Sequence, residues 1–489
     1  MSYFPESFEE KRRTMFYTLL YLAIVLVLVF LLLLTGIRPT RTIGWVLVIL
    51  VLPVGGILLY LMFGVNRRRY KFYKRKRTRE MEAYYERVSR FYREFERETT
   101  DYPPEVKQNQ RLSKLIIQNS SFLPQTGNKV ELLKDGPATF AAIFEALEQA
   151  RQFIHIQFYI FEEGELAGRF AEIFERKAKE GVEIRMIYDG VGSRKLSRKY
   201  RRRLEAAGVK AYPFMPLRFG WLTTTLNYRN HRKIIVVDGG QGFTGGINVA
   251  DKYIRGDELG IWHDMHLHLQ GPVVNNLQAI FAVDWHFVSG REELLSQPYT
   301  FQKEPRGQST VQLVSGGPDS DFPALRQHYF SLINQAQEYV YITNPYIIPG
   351  EPLLEALQSA ALGGVDVRVL TPARSDNPVV KWSIRSYFQP LLEAGVKIYL
   401  YPHGFLHSKT IVADDSVASV GTANLDIRSF EQNFEVNAVI YDSGIARQLK
   451  KIFHKECWIS TQLDPAAYAE RPWMDRLKEG GGKVFSPIL

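Results

Sequence analysis

NHRKIIVVDG, residues 230–239, is the stretch on which the fold turns, because its spacing is written a second time. His231, Lys233 and Asp238 stand as HxKxxxxD, and His407, Lys409 and Asp414 repeat that spacing. Counting 14 and 17 residues on from each histidine gives Gly245 and Asn248 in the first copy, Gly421 and Asn424 in the second. One such match would be a weak signal, whereas two copies with matched glycine and asparagine offsets are a strong one. The echo continues upstream. FIHIQFYIF (153–161) answers VYITNPYII (340–348), GVEIR (181–185) answers GVDVR (364–368), and AGVK occurs at 207–210 and at 394–397. These pairs lie 183 to 187 residues apart but the histidines only 176, so the first copy carries about 11 extra residues just before its histidine. The chain is a duplicated domain with one decorated loop.

Between the motifs, strand-like apolar runs alternate with helical ones such as 168–180 and 353–362, which argues for α/β units with sheet cores. The length of 489 residues allows about three domains of ordinary size. With 45% hydrophobic and 13% aromatic residues the chain can build real cores, so disorder is not the default. The single cysteine, Cys457, excludes an intrachain disulfide and a cysteine-based zinc site, suits a reducing compartment, and is expected as a small buried apolar residue.

Two apolar stretches open the chain, 15–36 and 43–65. Each is long enough as a helix, at roughly 33 Å, to cross a hydrocarbon core. The first is too long for a signal-peptide core, lacks a small-residue cleavage site and is followed at once by the second, so a retained two-helix transmembrane hairpin is expected over 1–66. Lys11, Arg12 and Arg13 precede it, RRRYKFYKRKRTR (67–79) follows it, and only RPTR (38–41) joins the spans. The positive-inside rule then sets both flanks, and the duplicated halves that follow, in the cytoplasm.

Residues 1–79 hold 14 Lys/Arg against 3 Glu, which leaves −1 for 80–489 out of a total of +10. The basicity therefore belongs to the anchor. Nucleic-acid binding, which needs clustered basic residues, is disfavoured for the catalytic part. The basic run either attracts anionic lipid headgroups or only fixes topology. EMEAYYERVSRFYREFERE (80–98) spaces its aromatic residues for an amphipathic connector helix packed on the first catalytic half, inside a juxtamembrane segment of 67–125. The halves are drawn at 126–305 and 306–489, with the boundary in the polar stretch QKEPRGQS (302–309).

The motif chemistry suits phosphodiesters. A site must neutralise the non-bridging oxygens and present an attacking atom in line with the leaving oxygen. On a strand, residues two apart share a face, so His231 would project with Lys233 and His407 with Lys409, backed in the first copy by the buried run IIVV (234–237). Asn248 and Asn424 can add neutral donors to the same oxygens.

These motifs, with WHDMHLHLQGP (262–272), NPYIIPGEP (344–352) and the N-terminal hairpin, resemble the phospholipase D superfamily, and within it the bacterial cardiolipin synthases, from about residue 129 to the C-terminus. The resemblance implies a duplicated phospholipase D-like α/β fold of two pseudo-symmetric sheet-and-helix halves behind the hairpin. It also implies that the two copies meet in one site, where one histidine attacks phosphorus and the other protonates the leaving group. His231 is assigned as nucleophile and His407 as acid/base. Asp264, 33 residues after His231, and Glu435, 28 after His407, are the family-position candidates for the carboxylates that orient the histidines. Asp238 and Asp414 complete the motif set but by the same resemblance play a structural part.

The cluster of His263, His266 and His268 is read as structure rather than metal site, and no metal or other cofactor is expected. NPYIIP (344–349) either lines the pocket or shapes a strand end, and the loop 213–230 with Phe214, Phe219 and Trp221 either touches lipid or packs. The second copy departs from the first at Asp414-Asp415 against Asp238-Gly239, and at Gly421-Thr422 against Gly245-Gly246; neither change removes a reactive group. The expected activity is transfer of a phosphatidyl group from one phosphatidylglycerol to another, giving cardiolipin and glycerol, in the cell membrane. The partners are phospholipids and membrane rather than nucleic acid, with oligomerisation left open. Hydrolytic phospholipase D activity and transfer to another alcohol are the alternatives, ahead of a nuclease and a non-catalytic scaffold.

Overall fold

The computed structural model describes residues 8–34, 39–60, 86, 102–216, 228–296 and 304–486. The N-terminal helices form one compact unit and the catalytic region another.

In the first unit, helix Phe8–Leu34 contains a 19-residue stretch, Arg12–Phe30, long and apolar enough to cross a bilayer. The second apolar run, expected as one unbroken span over 43–65, is instead interrupted. Helix Pro39–Val51 stops at Leu52 (φ −120°), and a new helix runs Pro53–Leu59. Proline supplies no N–H to the preceding turn, which is why the break falls there. The two runs pack on one another within this unit, Val25, Ile49 and Tyr60 being buried together and the Tyr21 hydroxyl donating to the Ile49 carbonyl at 3.1 Å. The expected connector over 80–98 and the basic run over 67–79 lie outside the described residues, apart from residue 86.

The catalytic unit is built on one continuous sheet. Its first half supplies β1 Gln125–Lys134, β2 Phe153–Phe158, β3 Glu183–Asp189, β4 Lys210–Phe214, β5 Ile234–Val237, β6 Gln241–Gly245, the short β7 Trp262–His263, and β8 Met265–Gln270. The second supplies β9 Ser309–Gly316, β10 Tyr339–Thr343, β11 Ile347–Ile348, β12 Asp366–Pro372, β13 Lys397–Tyr401, β14 Phe405–Leu406, β15 Thr410–Ala413, β16 Val417–Gly421, β17 Leu425–Asp426, β18 Glu435–Tyr441 and β19 Thr461–Gln462. The order across the sheet is β19-β13-β12-β10-β15-β16-β18-β9-β1-β8-β6-β5-β2-β3-β4. Read outward from the antiparallel β1–β9 junction, the halves match strand for strand through a parallel trio, β2-β3-β4 or β10-β12-β13, and the second half adds the short antiparallel β19 at its edge.

Helix Val274–Ser289 is buried along twelve consecutive residues and packs, with helix Ser443–Trp458, on one face of the sheet in a core shared by both halves. All four residues of β5 are buried, each such Val or Ile contributing roughly 1.5–3 kcal/mol relative to exposure. Cys457 is buried in the shared core, as expected. The other face carries a separate core in each half. Helices Pro104–Gln108 and Gln110–Ser120, allotted to the connector by sequence, belong to the core of the second half through Val106, Leu112 and Ile116. Phe214, weighed as a lipid contact, is instead fully buried against Phe287 and Phe434, while residues 217–227 of that loop lie outside the described residues.

The motif aspartates end the strands rather than line the site. Asp238 accepts from the peptide N–H groups of Arg151, Gln152 and Phe153 at 2.7, 2.8 and 2.8 Å. Asp414 does the same to Gln337, Glu338 and Tyr339 at 2.8, 2.9 and 3.0 Å. Each ties the β5–β6 or β15–β16 turn to the start of the neighbouring strand, so the two belong outside the catalytic set in which the motif counts them. The turn explains one departure between the copies: Asp415 holds a left-handed φ of 47° where the first copy has Gly239, and is secured there by the Tyr339 hydroxyl at 2.7 Å and the Lys450 ammonium at 3.1 Å. Asp414→Ala is expected to cost about 2–3 kcal/mol by stripping three peptide donors of a charged acceptor, read as a lowered melting temperature. An unchanged melting temperature with lost turnover would instead bring Asp414 into the chemistry.

Candidate active site

Both HxK segments lie just before their strands, not on them as expected: β5 begins at Ile234 and β15 at Thr410. Here the chain crosses to the other half. Asn230 bridges to Phe434, the His231 N–H donates to the Phe434 carbonyl at 2.9 Å, and the Phe434 N–H to the Arg229 carbonyl at 2.8 Å. In the opposite direction β14 pairs in parallel with β7, and the His407 N–H donates to the His263 carbonyl at 2.7 Å.

This crossing decides which carboxylate meets which histidine. Glu435, next to Phe434, lies 2.9 Å from His231 Nδ1. Asp264, next to His263, lies 2.6 Å from His407 Nδ1. Each histidine therefore meets a carboxylate from the other half, although the family resemblance points to each carboxylate by its place after the histidine of its own half. Lys233 and Lys409 are fully buried, each donating its ammonium to the carbonyl of the histidine two residues before it, and Lys409 stands 3.9 Å from Asp264.

Buried ion pairs hold the first segment rigid. Arg232 donates to Asp284 at 2.7 Å and to Ser315 Oγ at 2.7 Å; the Asn230 N–H donates to Asp189 at 3.0 Å, and Arg229 lies 3.4 Å from the same carboxylate. Asp284 belongs to the buried helix Val274–Ser289, so the shared core fixes the site.

Of the two asparagines, Asn248 accepts from the Ile160 N–H at 3.1 Å and donates to the Tyr253 hydroxyl at 3.2 Å, which itself lies 3.2 Å from His407 Nδ1. One amide hydrogen is left for a ligand. Asn424 is buried, and among the described residues its side-chain oxygen has no hydrogen-bond partner. Asn344 of NPYIIP holds this loop by accepting from the Leu425 N–H at 3.0 Å, while β11 pairs with β17; the segment supports the pocket. The three clustered histidines diverge. His263 lies 3.1 Å from Asp135, His268 stacks on Phe243 and contacts Gln241 at 3.0 Å, and His266 has neither ring nitrogen hydrogen-bonded among the described residues; burial, with the Lys233 charge, pushes its pKa down to about 3.

The two halves are not electrostatically equal. Burial pushes His231 down to about 4 against the pull of Glu435, and takes His407 well below its ordinary value with Lys409 and Lys233 adding to the effect. Lys233 falls to about 7 and Lys409 to about 8, desolvation being the main cause in both. An anion entering between them would restore their charge. Burial lifts Asp264 to about 7, whereas burial of Glu435 is outweighed by His231, Lys233 and Thr422, so that carboxyl stays below its usual value.

The second departure between the copies adds to the difference, after the charge and hydrogen bond of His231 on Glu435. Thr422 donates its hydroxyl to Glu435, which also accepts from Asn433 at 3.3 Å. At the equivalent Gly246, a Cβ would sit 2.1 Å from Asp264, so the shorter carboxylate requires glycine and goes without a hydroxyl donor.

Sequence reasoning missed Tyr159, whose ring lies 4.8 Å from that of His231. The signal was present: aligning the two upstream runs sets Tyr159 against Tyr346. It also missed Thr422 as a partner of Glu435, and Lys252, Tyr253 and Trp262 beside His407.

Residues 143–285 and 329–458 match the family described as cardiolipin synthase, PLD-like domain, and residues 20–64 match one described as phospholipase D-nuclease N-terminal. The chain is 39% identical over 463 residues to cardiolipin synthase 2 of Bacillus anthracis, covering 92% of this chain and 87% of that protein. It is 41% identical over 458 residues to the cardiolipin synthase of Halalkalibacterium halodurans, covering 92% and 90%. Among solved structures, the phosphatidylserine synthase of Haemophilus influenzae Rd KW20 aligns with a TM-score of 0.61 at 15% identity, over 78% of this chain and all of that one.

Proposed function

The chain belongs to the cardiolipin synthases of the phospholipase D superfamily, and from that premise we propose that it joins two phosphatidylglycerol molecules into cardiolipin and glycerol through a phosphohistidine. The observation that carries the reading is the single site made by both halves, in which two histidines, each backed by the other half's carboxylate, face two buried lysines.

In the first step His231 Nε2 attacks phosphorus, with the diester's non-bridging oxygens held by Lys233, Lys409 and the amide of Asn424; one free hydrogen of Asn248 can add to them. The P–O bond to glycerol breaks, and the leaving oxygen takes a proton from His407. In the second step the hydroxyl of another phosphatidylglycerol gives its proton to His407, its oxygen bonds to phosphorus, and the P–N bond electrons return to His231.

The inequality of the two carboxyls supports this division of labour. A firmly ionised Glu435 stabilises the positive charge that develops on His231 as it is phosphorylated. Asp264, with a pKa of about 7, is protonated in about half the molecules at neutral pH, and in those its pair with His407 holds the proton an acid needs, which the other pair lacks. Asp264 and Glu435 thus act as positioning and proton-holding groups.

The N-terminal helices are proposed as a hairpin anchor with the catalytic region on the cytoplasmic side. The apolar stretch Arg12–Phe30, its packing on the broken second run and the basic flanks support this. Both substrates are confined to a bilayer, so the anchor keeps the site where they are concentrated.

The test is to incubate the full-length protein with phosphatidylglycerol as sole lipid and follow lipid products together with free glycerol. Cardiolipin rising in step with glycerol is the expected result. Phosphatidic acid with glycerol would make the protein a hydrolytic phospholipase D, and no product at all would overturn the reading.

A further inference from the structure

The stretch DKYIRGDEL (251–259), which has no counterpart of its length in the second half, folds beside the site and includes the short helix Lys252–Arg255. Tyr253 from it reaches His407. The ammonium of Lys252 lies over the Trp262 indole, 3.5 Å from the ring centroid, and that indole lies 5.1 Å from the His407 ring.

Three carboxylates are near enough to act on Lys252, yet each is held by something else. Asp257 accepts from Trp262 Nε1 and from the Leu259 N–H, both at 2.9 Å. Glu162 pairs with Lys195. Asp376 accepts from the Tyr346 hydroxyl at 2.6 Å. Among the described residues the Lys252 ammonium makes no hydrogen bond or ion pair, although burial is strong enough to lower its pKa. A half-buried cation stacked on an indole is well placed to take an anion, since the ring holds the ammonium without using its three donors.

Its location says which anion. In a two-step displacement the acceptor enters where the leaving group departed, in line with the P–N bond and within reach of the acid/base histidine. That is the His407 side, where Lys252 stands. The pseudo-symmetric position in the second half is Arg428, whose charge acts instead on Tyr159 on the His231 side. An acceptor phosphatidylglycerol with its hydroxyl at His407 must set its own phosphodiester a glycerol's length away, beyond the central site occupied by Lys233 and Lys409.

Resting on the cardiolipin synthase reading, we propose that Lys252, stacked on Trp262, binds the phosphodiester anion of the acceptor phosphatidylglycerol and so selects a second lipid over water and neutral alcohols. The covalent step is unchanged. Lys252 touches neither the bond formed nor the bond broken; its charge also helps lower the His407 pKa, an effect common to every acceptor, so the choice of hydroxyl is read in the ratio of products.

The test uses full-length wild type, Lys252→Gln and Lys252→Arg with phosphatidylglycerol in mixed micelles containing ethanol, reading cardiolipin and phosphatidylethanol in the same sample. Both products drain one intermediate, so their ratio is independent of how much protein is folded. The ratio of cardiolipin to phosphatidylethanol is expected to fall about tenfold or more in Lys252→Gln, as for loss of one charge-assisted contact, and to be largely restored in Lys252→Arg. Glycerol 3-phosphate as a soluble acceptor separates phosphate recognition from lipid burial: its product should fall with Lys252→Gln alongside cardiolipin. An unchanged ratio, or a fall confined to the lipid product, overturns the inference while leaving the synthase reading intact. Wild type that makes phosphatidylethanol but no cardiolipin fails the reading itself.

Discussion

His231→Ala is expected to abolish both glycerol release and cardiolipin formation, by roughly 10⁴–10⁶-fold, as removal of a covalent nucleophile does in other two-step enzymes. In the proposed mechanism His407 stands on the side of the departing oxygen, where it cannot attack in line, and both lysines turn their ammonium groups back to the histidine carbonyls. The loss should appear in a single-turnover experiment as absence of the first glycerol. The same substitution at His407 removes only proton transfer, worth typically about 10²–10⁴-fold, so the first glycerol should still appear slowly. Equal loss of the first glycerol in both variants would contradict the assignment of one nucleophile and one acid.

The second large effect is expected at Glu435. Replacing a histidine-orienting carboxylate by its amide costs about 10⁴-fold in turnover in triad enzymes, because the amide no longer stabilises the imidazolium or fixes its tautomer. Glu435→Gln should slow appearance of the first glycerol by about that factor. Thr422→Val, which removes one hydroxyl donor from Glu435, should cost about tenfold at the same step, as for loss of a hydrogen bond to a charged group. Asp264→Asn is expected to act at the other step: the amide cannot hold the proton that His407 relays, so acid-assisted departure of the leaving group slows while His231 keeps its ionised partner. Stopped-flow separation of the two steps checks the distinction, and a matching loss in the two amide variants at one step would remove the difference between the halves.

Much of this architecture is legible in the sequence for a physical reason. The sheet core and the motif repeat because each half must bury the same strands and contribute the same histidine and lysine, so offsets of 176 to 187 residues survive divergence of the surface. The structural part of Asp238 and Asp414 came only from the family resemblance, and their ties to the peptide N–H groups of 151–153 and 337–339 are what the structure adds. What was hidden arises between the halves. Glu435 and Asp264 were found by position, but their exchange depends on Phe434 meeting Arg229 and β14 meeting β7, contacts that no count along the chain reveals. The HxK pairs were expected on strands because alternation looks the same in any extended segment, and only the crossing ends the strands early. The break at Leu52 was visible as Pro53, yet hydropathy averages across it. Lys252 escaped because a lone lysine in a polar stretch looks like solvated surface until Trp262 and His407 are set beside it.

The central claim, a phosphatidyl group carried on His231 between two lipids, is tested most directly by mapping the adduct. Wild type and His407→Ala would be mixed with phosphatidylglycerol labelled in the phosphate, quenched in base to preserve phosphohistidine, digested and read by mass spectrometry. The expected result is label on His231 in both, accumulating to near one per chain in His407→Ala. Label on His407 in wild type, or cardiolipin formed with no labelled histidine at any time, would contradict it.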